Sequence, residues 1–306
     1  MLRLYTHPAC LQHDPGPGHA ERPARLRAVL QALDQDRHAA LDRIEAPLAT
    51  REQLLRVHTH AHVDRILSGA PSSGQQRLDE DTLMSPGSVE AALRAAGANV
   101  AAVDAVMSDA GGRAFCAVRP PGHHATRDQA MGFCLFNNVA VAAAHALAAH
   151  GLKRVAIADF DVHHGNGTQA IFEHDPRVLF VSSHQSPLYP GGGHEDERGV
   201  GNIVNGPLSP GAGSHEFREL WDNVLLPRMA AFRPQLLLVS AGFDAHRSDP
   251  LADIRLGHED YAWITDRLVT LARNHASGRL VSTLEGGYDL AALAACASAH
   301  VSALTE

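Results

Sequence analysis

The chain is poor in cysteine and in aromatic residues and has no long apolar run, and each shortage removes a class of protein. Its four cysteines, Cys10, Cys116, Cys134 and Cys296, are scattered and form no C-x-x-C pair. Reduced thiols in a cytoplasmic protein suit this pattern better than a disulfide framework. The opening residues MLRLYTHPACL lack the apolar core of a signal peptide. The most apolar helix-like stretch, 138–151, is interrupted by His145 and His150 and is too short to span a bilayer. A soluble, cytoplasmic protein with no membrane partner is expected. Basic charge is also short, since 26 Lys and Arg against 34 Asp and Glu leave a formal charge of -8. That balance argues against the clustered basic footprint of a nucleic-acid binder, while leaving room for a cationic partner such as a lysine-rich peptide or a polyamine.

What is present is an ordinary globular composition, with 45% hydrophobic and 20% charged residues over 306 positions. There is no internal repeat, and the only loose stretch, SGAPSSGQQ at 68–76, reads as a surface loop. One domain over 1–306 is expected. Short apolar runs at 113–118, 154–159, 177–182, 235–240 and 279–284 alternate with helical patterns at 86–107, 138–149, 215–231, 257–274 and 289–304. Continuous apolar runs mark strands buried on both faces, and their alternation with helices predicts an α/β fold. Its central sheet would be largely parallel and flanked by helices on both faces.

Such sheets gather their chemistry at the carboxyl ends of the strands. The five runs are followed by RPPGHH, DVHHGNG, SHQSPLYPGGG, AGFDAH and EGGYD. Asp161 and His163, two apart, point to one side of an extended segment, so a carboxylate and an imidazole can grip one ion. Asp244 brings a second carboxylate from another strand end. Two carboxylates and one imidazole leave coordination positions open, as in a catalytic zinc site, although the same set accepts iron. Each residue alone has a bland reading as a loop or capping residue, and the weight lies in their combination.

His123 and His124 can both enter one site only through a special turn, which the neighbouring prolines and Gly122 can supply. Asp159 stands on the same face as Asp161, placed to orient one imidazole through its second nitrogen. Tyr288 can aim a phenol at the metal, where a hydroxyl would stabilise the oxyanion formed as water attacks an amide carbonyl. A half-buried tyrosine at a helix start is the equal alternative. A two-metal hydrolase of the arginase type would extend the motif to D-x-H-x-D, and here that position is Gly165. A mononuclear site is favoured.

RPPGHHA, GFCLFNN, DFDVHHGNGT, AGFDAH and EGGYD, in this order after His19-Ala20-Glu21-Arg22-Pro23, resemble the histone deacetylase family over most of the chain. The likeness is to its class II-like bacterial amidohydrolases, with the arginase/deacetylase fold. The resemblance implies a zinc-dependent deacetylase of linear amides, with one Zn2+ per chain on Asp161, His163 and Asp244. His124 would be the general base and acid and His123 more electrostatic, with Asp159 behind the first histidine. Asn166 stands where some relatives have a second carboxylate, which would leave His124 less basic. Gly132, Phe133 and Tyr189 resemble the walls of a narrow substrate channel. Structural K+ would use Asp159, Asp161, His163 and Ser182 at one site and backbone near Phe172, Asp175 and Val178 at another, positions that also read as simple turns.

Polyamine-specific relatives carry a glutamate gatekeeper where Leu251 stands. The implied substrate is therefore acetyl-lysine in a peptide or protein, with an acetylated polyamine or other small acetylated amine as the alternative. Asp79 and Asp81 can anchor a substrate backbone, or simply be solvated. A silent acyl-lysine-binding module would have lost a ligand, a paired histidine or the tyrosine, and none is missing. A homo-oligomer is compatible with all of this.

Overall fold

The computed structural model describes residues 1–109 and 111–306, and among them strands and helices alternate along the chain. The strands are β1 (Arg3–Thr6), β2 (Asp42–Glu45), β3 (Gln76–Arg77), β4 (Leu83–Met84), β5 (Arg113–Cys116), β6 (Val155–Asp159), β7 (Val178–Gln185), β8 (Ile203–Leu208), β9 (Leu236–Ala241) and β10 (Leu280–Leu284). The helices are α1 (Pro23–Leu33), α2 (Arg51–Leu55), α3 (His60–Ser68), α4 (Ser88–Ser108), α5 (Asn138–Ala149), α6 (Asn166–Phe172), α7 (Ser214–Leu220), α8 (Leu226–Phe232), α9 (His258–His275) and α10 (Leu290–Thr305). Eight strands form one wholly parallel sheet in the order β2-β1-β5-β10-β9-β6-β7-β8, while β3 and β4 pair apart as a short antiparallel ribbon.

The five strands expected from the sequence lie side by side in the middle of this sheet. Four of them, β6, β7, β9 and β10, are buried at every residue, which is why they read as largely apolar runs without period-two alternation. The flanking strands carry no such signal. In β2 (DRIE) no residue is fully buried, and β8 (IVNGPL) contains Gly206 and Pro207, residue types that sheets tolerate at their edges.

Neighbouring residues of a strand point to opposite faces. On β10, Thr283 bonds Asn99 of α4, while Ser282 bonds His300 of α10, which also bonds Thr265 of α9. Helices α4 and α10 therefore cover opposite faces, with α9 on the side of α10. Strands and helices share one continuous apolar core. The expected helix 215–231 is divided: α7 and α8 are joined by a wider π-type turn, Trp221–Leu225. Pro227, in the first turn of α8, has no N–H to continue an α-helical ladder.

The chain's lone lysine, Lys153, is exposed just before β6, at the amino ends of the strands. The loops that follow the strands lie at the opposite end.

Candidate active site

β6 ends at Asp159, and Asp161 and His163 leave the same rim in alternation. Asp161 is tied from two sides: Oδ1 accepts from the His163 amide at 2.9 Å and Oδ2 from the Gly286 amide at 2.8 Å. Asp244, just beyond β9, accepts from the Val162 amide at 2.9 Å through Oδ1. A side chain at Gly242 or Gly286 would collide with these carboxylates, so glycine is required for the backbones to come this close. The donor atoms of Asp161, His163 and Asp244 lie within 4.8 Å of one another, and all three residues are buried. His163 Nδ1 is 3.2 Å from Asp244 Oδ2, close enough for charge attraction, yet that oxygen has no hydrogen-bond partner. An orphaned buried carboxylate oxygen beside a second carboxylate is costly without a cation. This donor set fits a catalytic zinc ion. Burial alone would discharge His163, but its hydrogen bond to Asp161 and the charges of Asp161 and Asp244 push its pKa up to about 10.

A second group of potential ligands, Asp104, His145 and His150, behaves differently. Both histidines bond Asp104 Oδ1 through Nε2 at 2.7 Å. Arg56, which can only donate, bonds His145 Nδ1, so the ring proton sits on Nε2 and Asp104 accepts it. This group is satisfied without an ion and has a guanidinium beside it.

The paired histidines enter the site because their turn is fastened on both sides. Glu285 Oε2 accepts from the amides of Gly122 at 2.6 Å and His123 at 3.2 Å. Asn138 and Asn137 donate to the carbonyls of Pro120 and Ala125, both at 3.1 Å. His123 donates from Nδ1 to Asp159 Oδ2 at 3.0 Å. His124 donates from Nδ1 to the amide oxygen of Asn166 at 2.8 Å, leaving its Nε2 lone pair free. Burial disfavours charge on both rings. For His123 the carboxylates of Asp159 and Asp161 prevail and push its pKa to about 10. His124 has only a neutral amide behind it, and burial plus the charge of His123 holds it well below the usual histidine value. At Gly165 a side chain would collide with Asp159, so the further carboxylate of a two-metal motif has no room.

A cavity of about 240 Å³ leads to this group. Gly132, Phe133, Tyr189, Leu251 and Tyr288 line it with His124 and His163, as do Asp81 and Leu188. Asp79 is not among its walls. Gly132 and Phe133 both have left-handed backbone, φ 55° and 67°, and a Cβ at position 132 would strike the His124 ring. Phe133 meets Tyr288 edge-on at 5.9 Å, and Tyr189 meets His124 edge-on at 5.2 Å. Burial raises the Tyr288 hydroxyl well above its usual value, so it stays a donor. Wider grooves, about 400 Å³ beside β8 and about 540 Å³ between α1 and α10, hold no paired acid–base groups.

Of the proposed alkali-ion residues, Asp159 and Ser182 stand opposite each other in the β6–β7 register, and Ser182 bonds His184 at 2.9 Å. The carbonyls of Phe172, Asp175 and Val178 converge, at 2.7, 3.0 and 2.8 Å, on the side-chain nitrogen of Asn202. Asn202 Oδ1 accepts from the Val200 amide at 3.2 Å, which fixes the orientation of the amide. These carbonyls are satisfied without an ion.

Sequence reasoning missed Leu188, Glu285 and Asp249. Glu285 opens the EGGYD motif and could have been suspected, whereas the other two carry no local signal.

Fold and site together define a parallel α/β protein with a buried carboxylate–imidazole group of a kind that can hold a metal ion. The family profile described as "Histone deacetylase domain" matches residues 19–304. A "Histone deacetylase-like amidohydrolase" of Pseudomonas aeruginosa is 42% identical over 294 residues, covering 94% of this chain and 77% of that protein. A "Probable deacetylase" of Archaeoglobus fulgidus is 39% identical over 319 residues, covering 99% of this chain and 88% of the other. The solved HDA15 HD domain superposes with a TM-score of 0.93 at 37% identity, over 99% of this chain and 89% of that one. The chain belongs to the histone deacetylase family, that is, to the hydrolytic deacetylases. Among the described residues no helix is long and apolar enough to cross a membrane.

Proposed function

We propose that this chain hydrolyses the acetyl amide of an acetylated lysine in a peptide or protein, with one zinc ion on Asp161, His163 and Asp244. The observation that carries this reading is the unequal histidine pair beside the metal cradle, one backed by Asp159 and the other by Asn166. Zinc, when bound, supplies Lewis acidity toward the acetyl carbonyl and makes a neighbouring water more acidic. His124, neutral and with Nε2 free, takes a proton from the attacking water. His123 keeps its charge near the developing anion, and Tyr288 donates its hydroxyl hydrogen to the tetrahedral oxyanion. His124 then returns the proton to the departing amine nitrogen as the C–N bond breaks, releasing acetate and the free amine. Gly132, Phe133 and Tyr189 sheath the apolar stem of the side chain, and Asp81 at the mouth can accept a backbone N–H of the peptide. Leu251, an apolar residue, gives no partner to the second ammonium of a polyamine. An alkali ion, if one is held, belongs with Asp159, Asp161, His163 and Ser182.

The test is acetate release by zinc-reconstituted protein from an acetyl-lysine peptide and an acetylated polyamine in parallel. Peptide turnover that disappears in Asp161→Ala is the expected result. Turnover of the polyamine alone would overturn the substrate, and zinc binding without turnover of either would overturn the reaction.

A further inference from the structure

Asp249 is a buried carboxylate with no cationic partner among the described residues. Its hydrogen bonds go to backbone instead. Oδ1 accepts from the Leu251 amide at 3.1 Å, and Oδ2 accepts from the Tyr288 amide at 2.7 Å and the Asp289 amide at 3.4 Å. The two oxygens face two segments, at Leu251 and Tyr288, one carrying the residue at the cavity mouth and the other the phenol at its floor, 39 residues along the chain from Asp249.

The segment before Tyr288 needs such a hold. Gly286 is required by its neighbours and Gly287 sits at φ +120°, so two adjacent residues supply little backbone stiffness of their own. From one side Arg25 donates to the carbonyls of Glu285 and Gly287, and its guanidinium lies 4.8 Å from the centre of the Tyr288 ring. From the other side only Asp249 holds the Tyr288 amide. A carboxylate is the group this geometry demands, because both oxygens must accept. An asparagine would turn an NH2 toward one of the amides.

We propose that Asp249 is a positioning residue that sets the Tyr288 hydroxyl for the oxyanion and ties it mechanically to the gate residue Leu251. This rests on the role given to Tyr288 in the proposed reaction. A displacement of about 1 Å at such a donor is enough to cost around 100-fold in rate. Because one side chain holds both ends of the cavity, loss of the clamp should alter selectivity as well as rate.

The experiment is a double-mutant cycle of Asp249→Asn and Tyr288→Phe, following kcat and KM on the acetyl-lysine peptide and the ratio of peptide to acetylpolyamine turnover. Zinc content and thermal midpoint, measured on each variant, separate a mis-set tyrosine from a lost fold. Tyr288→Phe should lower kcat by about 10²- to 10³-fold. Asp249→Asn should lower kcat at least about 10-fold and shift the substrate ratio, yet cost less than about 3-fold more in the Tyr288→Phe background. Losses that multiply would overturn the clamp, as would an unchanged kcat in Asp249→Asn. An unchanged kcat in Tyr288→Phe would overturn the tyrosine's role and the clamp with it, and that single variant tells the two failures apart. Should Asp249→Asn not fold, Asp249→Glu, which keeps both acceptors but moves them by one methylene, takes its place in the same cycle.

Discussion

His123 and His124 are adjacent, equally buried and chemically identical, yet their partners drive them to opposite charge states. That difference makes Asn166 a tuning residue. Replacing it, as Asn166→Asp, puts a carboxylate on His124 Nδ1 and favours the imidazolium, raising the pKa of the base. As the proposed base, His124 works only when neutral, so the acid limb of the kcat/KM profile should move up by about one pH unit. A limb that stays in place would argue that His124 is not the base. His163, pushed up to about 10 by the neighbouring carboxylates of Asp161 and Asp244, holds a proton at pH 7 between them. Zinc uptake should therefore expel about one proton and strengthen as pH rises. Calorimetry in two buffers of different ionisation enthalpy measures that release. At this scale the sequence is most legible where partners share a motif, as in DVH. Asp249 and Asn202 escape it because they bond backbone of distant segments, and no residue type announces that.

Among the elements, α4 shows how contact overrides propensity. Gly97 lies in its interior, where alanine would favour the helix by about 1 kcal/mol. A Cβ at this position, however, would run into the carbonyl of Pro47 and the amide of Ala49, in the chain that crosses the helix there. Backbone cannot yield as a flexible side chain can, and overpacking of this kind costs about 1–3 kcal/mol. Gly97→Ala should thus destabilise, seen as a lower urea midpoint with an unchanged slope. The central strands and α5 were readable because burial on both faces, or a clean cap such as Asn137, leaves a local mark. Strands β1, β2 and β8 were not, since four to six residues with one buried side or an edge position have little pattern to offer. The split of α7 from α8 turns on Pro227, a single residue inside an otherwise helical pattern.

At the scale of the whole molecule the 21 histidines become a liability in acid. His58, His184 and His300 are buried and held neutral with pKa values near 3, and His164 near 4, in each case chiefly by burial. In the unfolded chain each titrates near 6.5. Their contribution is complete above that value, and it is lost as pH falls toward the folded values, because the unfolded state binds the extra protons. Four such groups give a slope of about 5 kcal/mol per pH unit. Asp159, Asp249 and Glu285 oppose it in part, since burial pushes their carboxyls up to about 6, 7 and 7 and they therefore bind protons in the folded state over the same range. Urea unfolding at pH 7.5, 6 and 5 should show stability falling across the lower interval, and a rise would refute the assignment. The position of Lys153 has a different kind of consequence. With its only lysine at the amino ends of the strands and the cavity mouth at the carboxyl ends, a molecule cannot reach its own side-chain amine. On the proposed acetyl-lysine activity, this protein would remove an acetyl group from Lys153 only on a second copy. Self-editing within one molecule is ruled out by the direction of the sheet.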